Sequence, residues 1–532
     1  MNPVRNFDEN KNITQKVKNW DIALRQLSNG VNRREFIKSA CLAGTALSLS
    51  GTGFSKTVIP HLMWNPGYSV ILDSCFRRND SHQSNSNRAI KPNFLFILAD
   101  DLGWSQLGCY GPARGGFYET PNIDRLASEG MKFTDAYAAC PVCSPTRASI
   151  MTGKYPARLH LTDFIAGGQY PHEKLIQPDW QKYLPLKEIT IAEVLKAAGY
   201  ATASFGKWHL SIAKKPPESL PFNPDKQGFD ESIVTYKPAP THDPETDAHN
   251  VEIITRKSLE FLESNKDRPF FLYVTHNTIH TPVMGKKKLV EKYKNKPASD
   301  LPENNPVIAA MLEELDNSVG RLLRKLDELK IADRIIVIFF SDNGGLEQST
   351  KQTPLRSGKA NLYEGGIRVP LIIRWPDVTK PGSICSEPVI SVDFFPTILE
   401  IIGLENKAEK PIDGVSLVPL LTQSDSLNRQ AIYWHYPHYH SSSIGPCGAI
   451  RAGDHKLIEW FDESICGPGN RFELYNLKED IGEQNNLAKK MPEKTEELRK
   501  MLQDWRNEVN AQMLTPNPNF NPQKATKSKR RK

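Results

Sequence analysis

The sequence predicts an α/β sandwich followed by a small α+β domain, and three observations carry that expectation. Continuous apolar runs at Asn93–Ala99, Tyr200–Phe205, Phe270–Thr275 and Ile335–Phe340 read as strands buried on both faces, as in a parallel sheet. Segments of helical period lie between them, one ending at Ala198 before Gly199 and one carrying Met311, Leu312, Leu315, Val319, Leu322, Leu323 and Leu326. Strands alternating with helices make a sheet covered by helices on its faces. Beyond a polar, aperiodic stretch at 422–429, short runs at Ala431–Trp434, Gly448–Arg451, His455–Trp460 and Arg471–Tyr475 read as strands joined by turns. A helix from about Glu493 to Val509 closes this second part.

A chain of 532 residues is long for one domain. The expected division is 1–50 as an N-terminal extension with an export signal, 51–90 as a disordered linker, 91–425 as the main domain, 426–510 as the α+β domain and 511–532 as a solvated basic tail. The net charge is +7, and residues 524–532 hold six basic residues and no acidic one, so removing those six leaves +1. The body therefore carries no basic excess of the kind a nucleic-acid surface needs. Eight cysteines are too sparse for a disulfide scaffold. Cys447 and Cys466 could pair in an oxidising compartment, but connectivity cannot be read from a sequence.

Near the N-terminus, Arg33-Arg34 precedes Phe36 and Lys38 and then a mild apolar run from Ala40 to Leu49. This resembles a twin-arginine export signal, which implies the twin-arginine export machinery as a partner and a periplasmic or extracellular mature protein. The run is too short and too weakly apolar to span a bilayer.

The apolar runs share an ending. The first leads into Asp100-Asp101, the second into Lys207 and His209, the third into His276 to His280, and the fourth into Asp342-Asn343. Singly, each has a plain explanation as a capped turn, a satisfied histidine or a surface lysine. Together they would converge, because ligands of open α/β sheets bind outside the carboxyl ends of the strands. Adjacent carboxylates after a buried strand need positive partners, and calcium accepts such oxygens. Lys359 follows a glycine-containing turn and offers a cation to an anion.

Residues 140–153 read Cys-Pro-Val-Cys-Ser-Pro-Thr-Arg-Ala-Ser-Ile-Met-Thr-Gly. Pro145 suits the start of a helix and Gly153 its end, so Cys143 is expected just before a helix N-terminus with Arg147 a turn further on. A thiol in that position is primed for chemistry, although a structural or loop cysteine fits the stretch equally well. A zinc or thioredoxin-like reading of Cys140-x-x-Cys143 lacks a second close pair.

The stretch Cys143-Ser144-Pro145-Thr146-Arg147, with Thr152-Gly153 after it, resembles the sulfatase signature. The resemblance extends in motif order from about Lys91 to Val509. It implies an alkaline-phosphatase-like sandwich with a largely parallel mixed sheet, plus a small C-terminal domain with an antiparallel sheet. It implies that Cys143 is oxidised to formylglycine by a maturation enzyme and that its hydrate is the nucleophile. It implies calcium held by Asp100, Asp101, Asp342 and Asn343 together with the modified Cys143. Arg147 would steady the hydrate, and Lys207, His209, His280 and Lys359 would contact sulfate or move protons, with His280 as general acid.

The run Tyr433-Trp-His-Tyr-Pro-His-Tyr-His440 is rich in aromatic residues that could stack on sugars or simply pack. On this resemblance the substrate is a sulfated carbohydrate, with His435, His438 and Arg451 as its contacts. Two alternatives stay open: a phosphodiesterase or phosphonate hydrolase of the same superfamily, and an unconverted homologue that binds carbohydrate without catalysis.

Overall fold

The computed structural model describes residues 91–525 apart from 112–115, 213–216, 218–219, 405–410 and 468–470. The expected export signal and the 51–90 linker lie outside the described residues.

The main sheet has eight strands: β1 (Asn93–Ala99), β2 (Met131–Phe133), β3 (Ala201–Gly206), β4 (Glu231–Val234), β5 (Phe270–Thr275), β6 (Ile335–Ser341), β7 (Leu371–Arg374) and β8 (Ser383–Cys385). Their order is β8-β2-β7-β6-β1-β5-β3-β4. Neighbours are parallel except around β7, which runs against both β2 and β6. The sheet is thus mixed and largely parallel, as expected.

The apolar runs are continuous because both faces are covered. Phe94, Phe96 and Leu98 of β1 enter one core with Tyr273 and Phe340, beneath the helices Cys143–Thr152, Ile191–Ala197 and Phe394–Ile401. Leu95, Ile97 and Ala99 enter the other core with Leu272 and Phe339, beneath Val251–Asn265 and Pro306–Glu328. Successive side chains of a strand point to opposite faces, so each central strand feeds two cores.

Local chemistry sets the helix ends. Thr190 accepts a hydrogen bond from the Glu193 N–H at 3.1 Å while the Glu193 carboxylate accepts from the Thr190 N–H, so this helix starts at Ile191. Asn305 accepts from the N–H groups of Val307 and Ile308, and Pro306 takes the first position of the long helix.

The second sheet is antiparallel and consists of β9 (Ile432–Tyr436), β10 (Cys447–Ala452), β11 (His455–Trp460) and β12 (Arg471–Asn476) in sequence order. The helix Pro492–Glu508 lies against it through Leu498, Leu502 and Trp505. These residues share a third core with Tyr137, Ala139 and Val142 of the main part. The described residues accordingly belong to one compact unit.

Residues 511–525, expected as the start of a solvated tail, pack on the body instead. Leu514 is buried, and Thr515–Pro516 pairs with Leu175–Ile176. The basic residues that suggested a tail begin only at Lys524; the stretch 511–523 has none. The six described cysteines are free thiols, Cys447 and Cys466 among them. Among the described residues no helix is long and apolar enough to cross a membrane.

Candidate active site

Strands β6, β1, β5 and β3 are adjacent and parallel, so their carboxyl ends open on one edge. That edge brings together the residues the sequence placed there. Asp100, Asp101, Asp342 and Asn343 are buried, and Lys207 and Lys359 nearly so. The helix Cys143–Thr152 adds Cys143 as its first residue, one place inside the expected start, because Val142 supplies the extended cap. Gly153 closes this helix at φ 67°, in the left-handed region that suits glycine. Gly344 matters for close approach: a Cβ there would lie 1.9 Å from the Gly365 carbonyl oxygen, and this contact brings the Lys359 loop beside Asn343.

The charges are paired one to one. Lys207 Nζ donates to both carboxylate oxygens of Asp100 at 2.7 and 2.8 Å. Lys359 Nζ donates to both oxygens of Asp101 at 2.6 and 2.9 Å. Arg147 Nε donates to Asp342 Oδ2 at 2.8 Å, and its Nη1 to the Lys207 carbonyl at 2.6 Å. His280 Nε2 stands 3.8 Å from Asp101 Oδ2.

One acceptor is left over. Asn343 Nδ2 donates to Asp101 Oδ1 at 2.8 Å, while its buried Oδ1 has no partner. A buried polar atom without a partner is costly and calls for an explanation. Asp100, Asp101 and His280 can bring ligand atoms within 4.8 Å of one another. Three carboxylates and an orphaned amide oxygen are hard donors that fit a hard divalent cation.

Cys143 Sγ lies 3.2 Å from His209 Nδ1. The other ring nitrogen, Nε2, donates to the Ile165 carbonyl, so Nδ1 is the acceptor facing the sulfur. Burial raises the Cys143 thiol above its ordinary pKa, although Lys207 and Lys359 oppose this. The thiol expected to be primed is therefore held protonated. Burial and Lys207 keep His209 neutral. Burial and Lys359 bring His280 down to about 3 against the pull of Asp101. Burial and Asp100 push Asp342 up to about 6, with Arg147 opposing. Burial would also raise Asp101, but Lys359, His280 and Lys207 hold it below the usual carboxylate range.

Residues 92–404 match the family model for sulfatases, and residues 358–512 match that for the C-terminal region of N-sulphoglucosamine sulphohydrolase. This chain belongs to the sulfatase family. A sulfatase of Formosa agariphila is 31% identical over 516 residues, which cover 82% of this chain and 90% of that one. Human N-acetylgalactosamine-6-sulfatase is 31% identical over 408 residues, 69% of this chain and 72% of the relative. Among solved structures, Ps i-CgsB in complex with k-i-k-neocarrahexaose matches at TM-score 0.65 and 26% identity, over 78% of this chain and 92% of that one. As a sulfatase the chain is a sulfuric ester hydrolase.

The three residues expected to touch the sugar lie elsewhere in this sulfatase. His435 is buried and bonded through Nε2 to the Gln512 carbonyl at 2.8 Å. His438 is 0% exposed, and its Nε2 meets Thr162 Oγ1 at 2.8 Å. Arg451 is buried against Asp135 at 2.7 Å and bonded to the Tyr137 hydroxyl. All three are buried and bonded within the protein, His435 and Arg451 from strands of the small sheet and His438 just beyond β9.

His440, at the end of the same run, does stand near the site. Burial and Lys359 bring it down to about 4, and its ring lies edge-on to Phe164 at 5.4 Å. Asp163 was not singled out from the sequence. It is buried, and it accepts from the N–H groups of Phe164 and Gly168 and from the Tyr436 hydroxyl. It thereby ties down the segment whose Ile165 carbonyl orients His209. Nothing in a lone Thr-Asp-Phe signals that role.

Proposed function

We propose that this sulfatase removes sulfate from a sulfated carbohydrate, using formylglycine derived from Cys143 and a calcium ion held by Asp100, Asp101, Asp342 and Asn343. The observation that carries the reading is the joint placement of a buried Cys143 beside an acceptor nitrogen and the orphaned Asn343 oxygen among three carboxylates. Converted to formylglycine and hydrated by water, residue 143 would supply a hydroxyl oxygen as nucleophile, and the cation would supply positive charge for the anionic ester.

The rest is the work of the chain's own side chains. Three carboxylates balance Arg147, Lys207 and Lys359, so a divalent cation makes the pocket net positive, as an anionic ester requires. Lys207 and Lys359 sit where they can turn from Asp100 and Asp101 toward non-bridging oxygens. Arg147 holds Asp342 and the Lys207 backbone and so orients residue 143 through its own helix. His209 Nδ1 accepts a proton from the group at residue 143. His280 is neutral alone; the negative charge of a bound ester favours its protonated form, in which it gives a proton to the leaving alcohol.

The carbohydrate assignment draws support from relatives whose names specify sulfated amino sugar or whose structure holds an oligosaccharide. Conversion of Cys143 by a maturation enzyme and export by the twin-arginine route to the periplasm or beyond complete the proposal, the latter resting on Arg33-Arg34.

The test is the mass of the peptide that spans residue 143. It is expected to be lighter than the thiol form and to react with a hydrazine probe. Full activity in protein carrying only the thiol sinks the reading.

A further inference from the structure

The segment that orients His209 has an outer face that no catalytic role uses. Its inner side is fixed: the Ile165 N–H donates to Ser144 Oγ at 3.1 Å, and the Ile165 carbonyl accepts from His209. From Ala166 onward the chain turns outward and lines a groove of about 430 Å³ with Gln169, Tyr170, Gln177, Trp180 and Asn519. That volume lies in the range of small-ligand sites, roughly 300–1,000 Å³.

The far wall of the groove comes from the other end of the chain. Thr515–Pro516 pairs with Leu175–Ile176, and Asn517 Nδ2 donates to the carbonyls of Pro171 at 3.0 Å and Glu173 at 2.7 Å. This strap lies beyond residue 512, where the match to the sulfatase models ends. Gln177 stiffens the floor by donating to the Gly168 carbonyl and accepting from the Tyr439 N–H.

We propose that the groove is a glycan subsite, which holds the sugar units adjoining the one that loses sulfate. The proposal rests on the carbohydrate reading above. Aromatic faces at Tyr170 and Trp180 suit the C–H face of a sugar ring. The exposed amides of Gln169 and Asn519 each offer donors and an acceptor to hydroxyl groups. Lys182 is exposed, with its ammonium 5.8 Å from the centre of the Trp180 ring, and provides a cation for a sulfate group on a neighbouring unit. The groove begins at Ala166, one residue from the carbonyl that holds His209, so the groove and the pocket of Cys143 share this stretch of chain as a wall.

The experiment compares wild type with the triple variant Gln169→Ala, Lys182→Ala and Asn519→Ala, all at exposed positions. The probes are an aryl sulfate and size-graded sulfated galactan and glycosaminoglycan oligosaccharides of one to six units. Wild type is expected to gain at least tenfold in kcat/KM from one unit to six in one of the series. The variant is expected to lose that gain through KM while keeping aryl sulfate turnover within about twofold. If neither series shows a gain with length in an enzyme that cleaves aryl sulfate, or if the variant keeps the gain, the subsite is overturned with the functional reading intact. A wild type with formylglycine and metal that cleaves no sulfate ester at all overturns the functional reading itself.

Discussion

Two buried clusters in this sulfatase hold the same inventory of charge, three carboxylates and three cations, and put it to different uses. At the strand ends, Asp100, Asp101 and Asp342 face Lys207, Lys359 and Arg147. Between the two sheets, Asp135, Glu364 and Glu483 face Arg368, Arg451 and Lys456. In the second cluster Lys456 is 0% exposed and bridges Glu364 at 2.8 Å and Glu483 at 2.9 Å, while the Tyr137 hydroxyl donates to Glu364 at 2.7 Å. None of its side chains leaves a buried polar atom unpartnered, whereas the first cluster leaves Asn343 Oδ1 open beside a thiol and two partly exposed histidines. A closed cluster joins elements; one with a spare acceptor and access from solvent is prepared for a ligand. Charge count alone therefore does not separate these two clusters; the unpartnered Asn343 oxygen and access from solvent do.

The comparison can be broken at either end. The largest effect is expected at Cys143→Ala, which should lower kcat by about 10⁴-fold or more while leaving the melting temperature near that of wild type. Appreciable turnover in that variant would remove residue 143 from the chemistry. Next comes Lys456→Met, which strands two buried carboxylates and should cost about 3–5 kcal/mol of unfolding free energy. Denaturant titration measures it, and kcat per folded molecule should change much less. An unchanged stability, or a selective loss of kcat, would mean the second cluster is not a structural joint.

Asp342→Asn keeps a side chain for Arg147 but removes a charge from the open cluster. Loss of a ligand should cost at least what loss of an outer-shell partner does, about 10- to 100-fold in metal affinity, and activity should fall with it. Metal analysis and chelator titration of the pure protein check this; metal-free wild type that remains fully active refutes it.

The smallest effect belongs to Glu483, which burial pushes up to about 7, with Lys456 opposing and Glu364 adding. Between its ordinary value of 4.5 and 7 the folded protein binds a proton that the unfolded chain does not. This group therefore makes stability fall as pH rises through that window. Glu483→Gln should flatten the slope of unfolding free energy against pH between about 5 and 7, and an unaltered slope would assign it elsewhere.

The open cluster was legible in the sequence for a physical reason. Asp100, Asp101, Lys207 and Asp342 follow buried strands, and a polar residue after an uninterrupted apolar run stands out. The closed cluster was not, because Asp135, Glu364 and Glu483 are scattered along the chain and meet only in the folded state. The same limit explains His435 and His438. A histidine-rich strand reads alike whether it faces a sugar or a core, and only its cover by Thr162 and the Gln512 carbonyl decides. Strands β5, β1 and β11 kept their expected bounds, since apolar runs end sharply at polar turns. The helix starts at Cys143 and Pro492 each moved by one residue from where the sequence placed them. The packing of 511–525 left almost no trace, for a strap of asparagines and prolines looks like a loop until its carbonyl partners are known.

Every residue of the helix Cys143–Thr152 is buried, and Cys143 itself is 2% exposed. If residue 143 is converted as proposed, a modifying enzyme would have to reach it before the sheet closes around it, because the folded protein leaves that side chain no access. A molecule that folded first would then keep its thiol, and the active fraction of a preparation would record the order of the two events during synthesis.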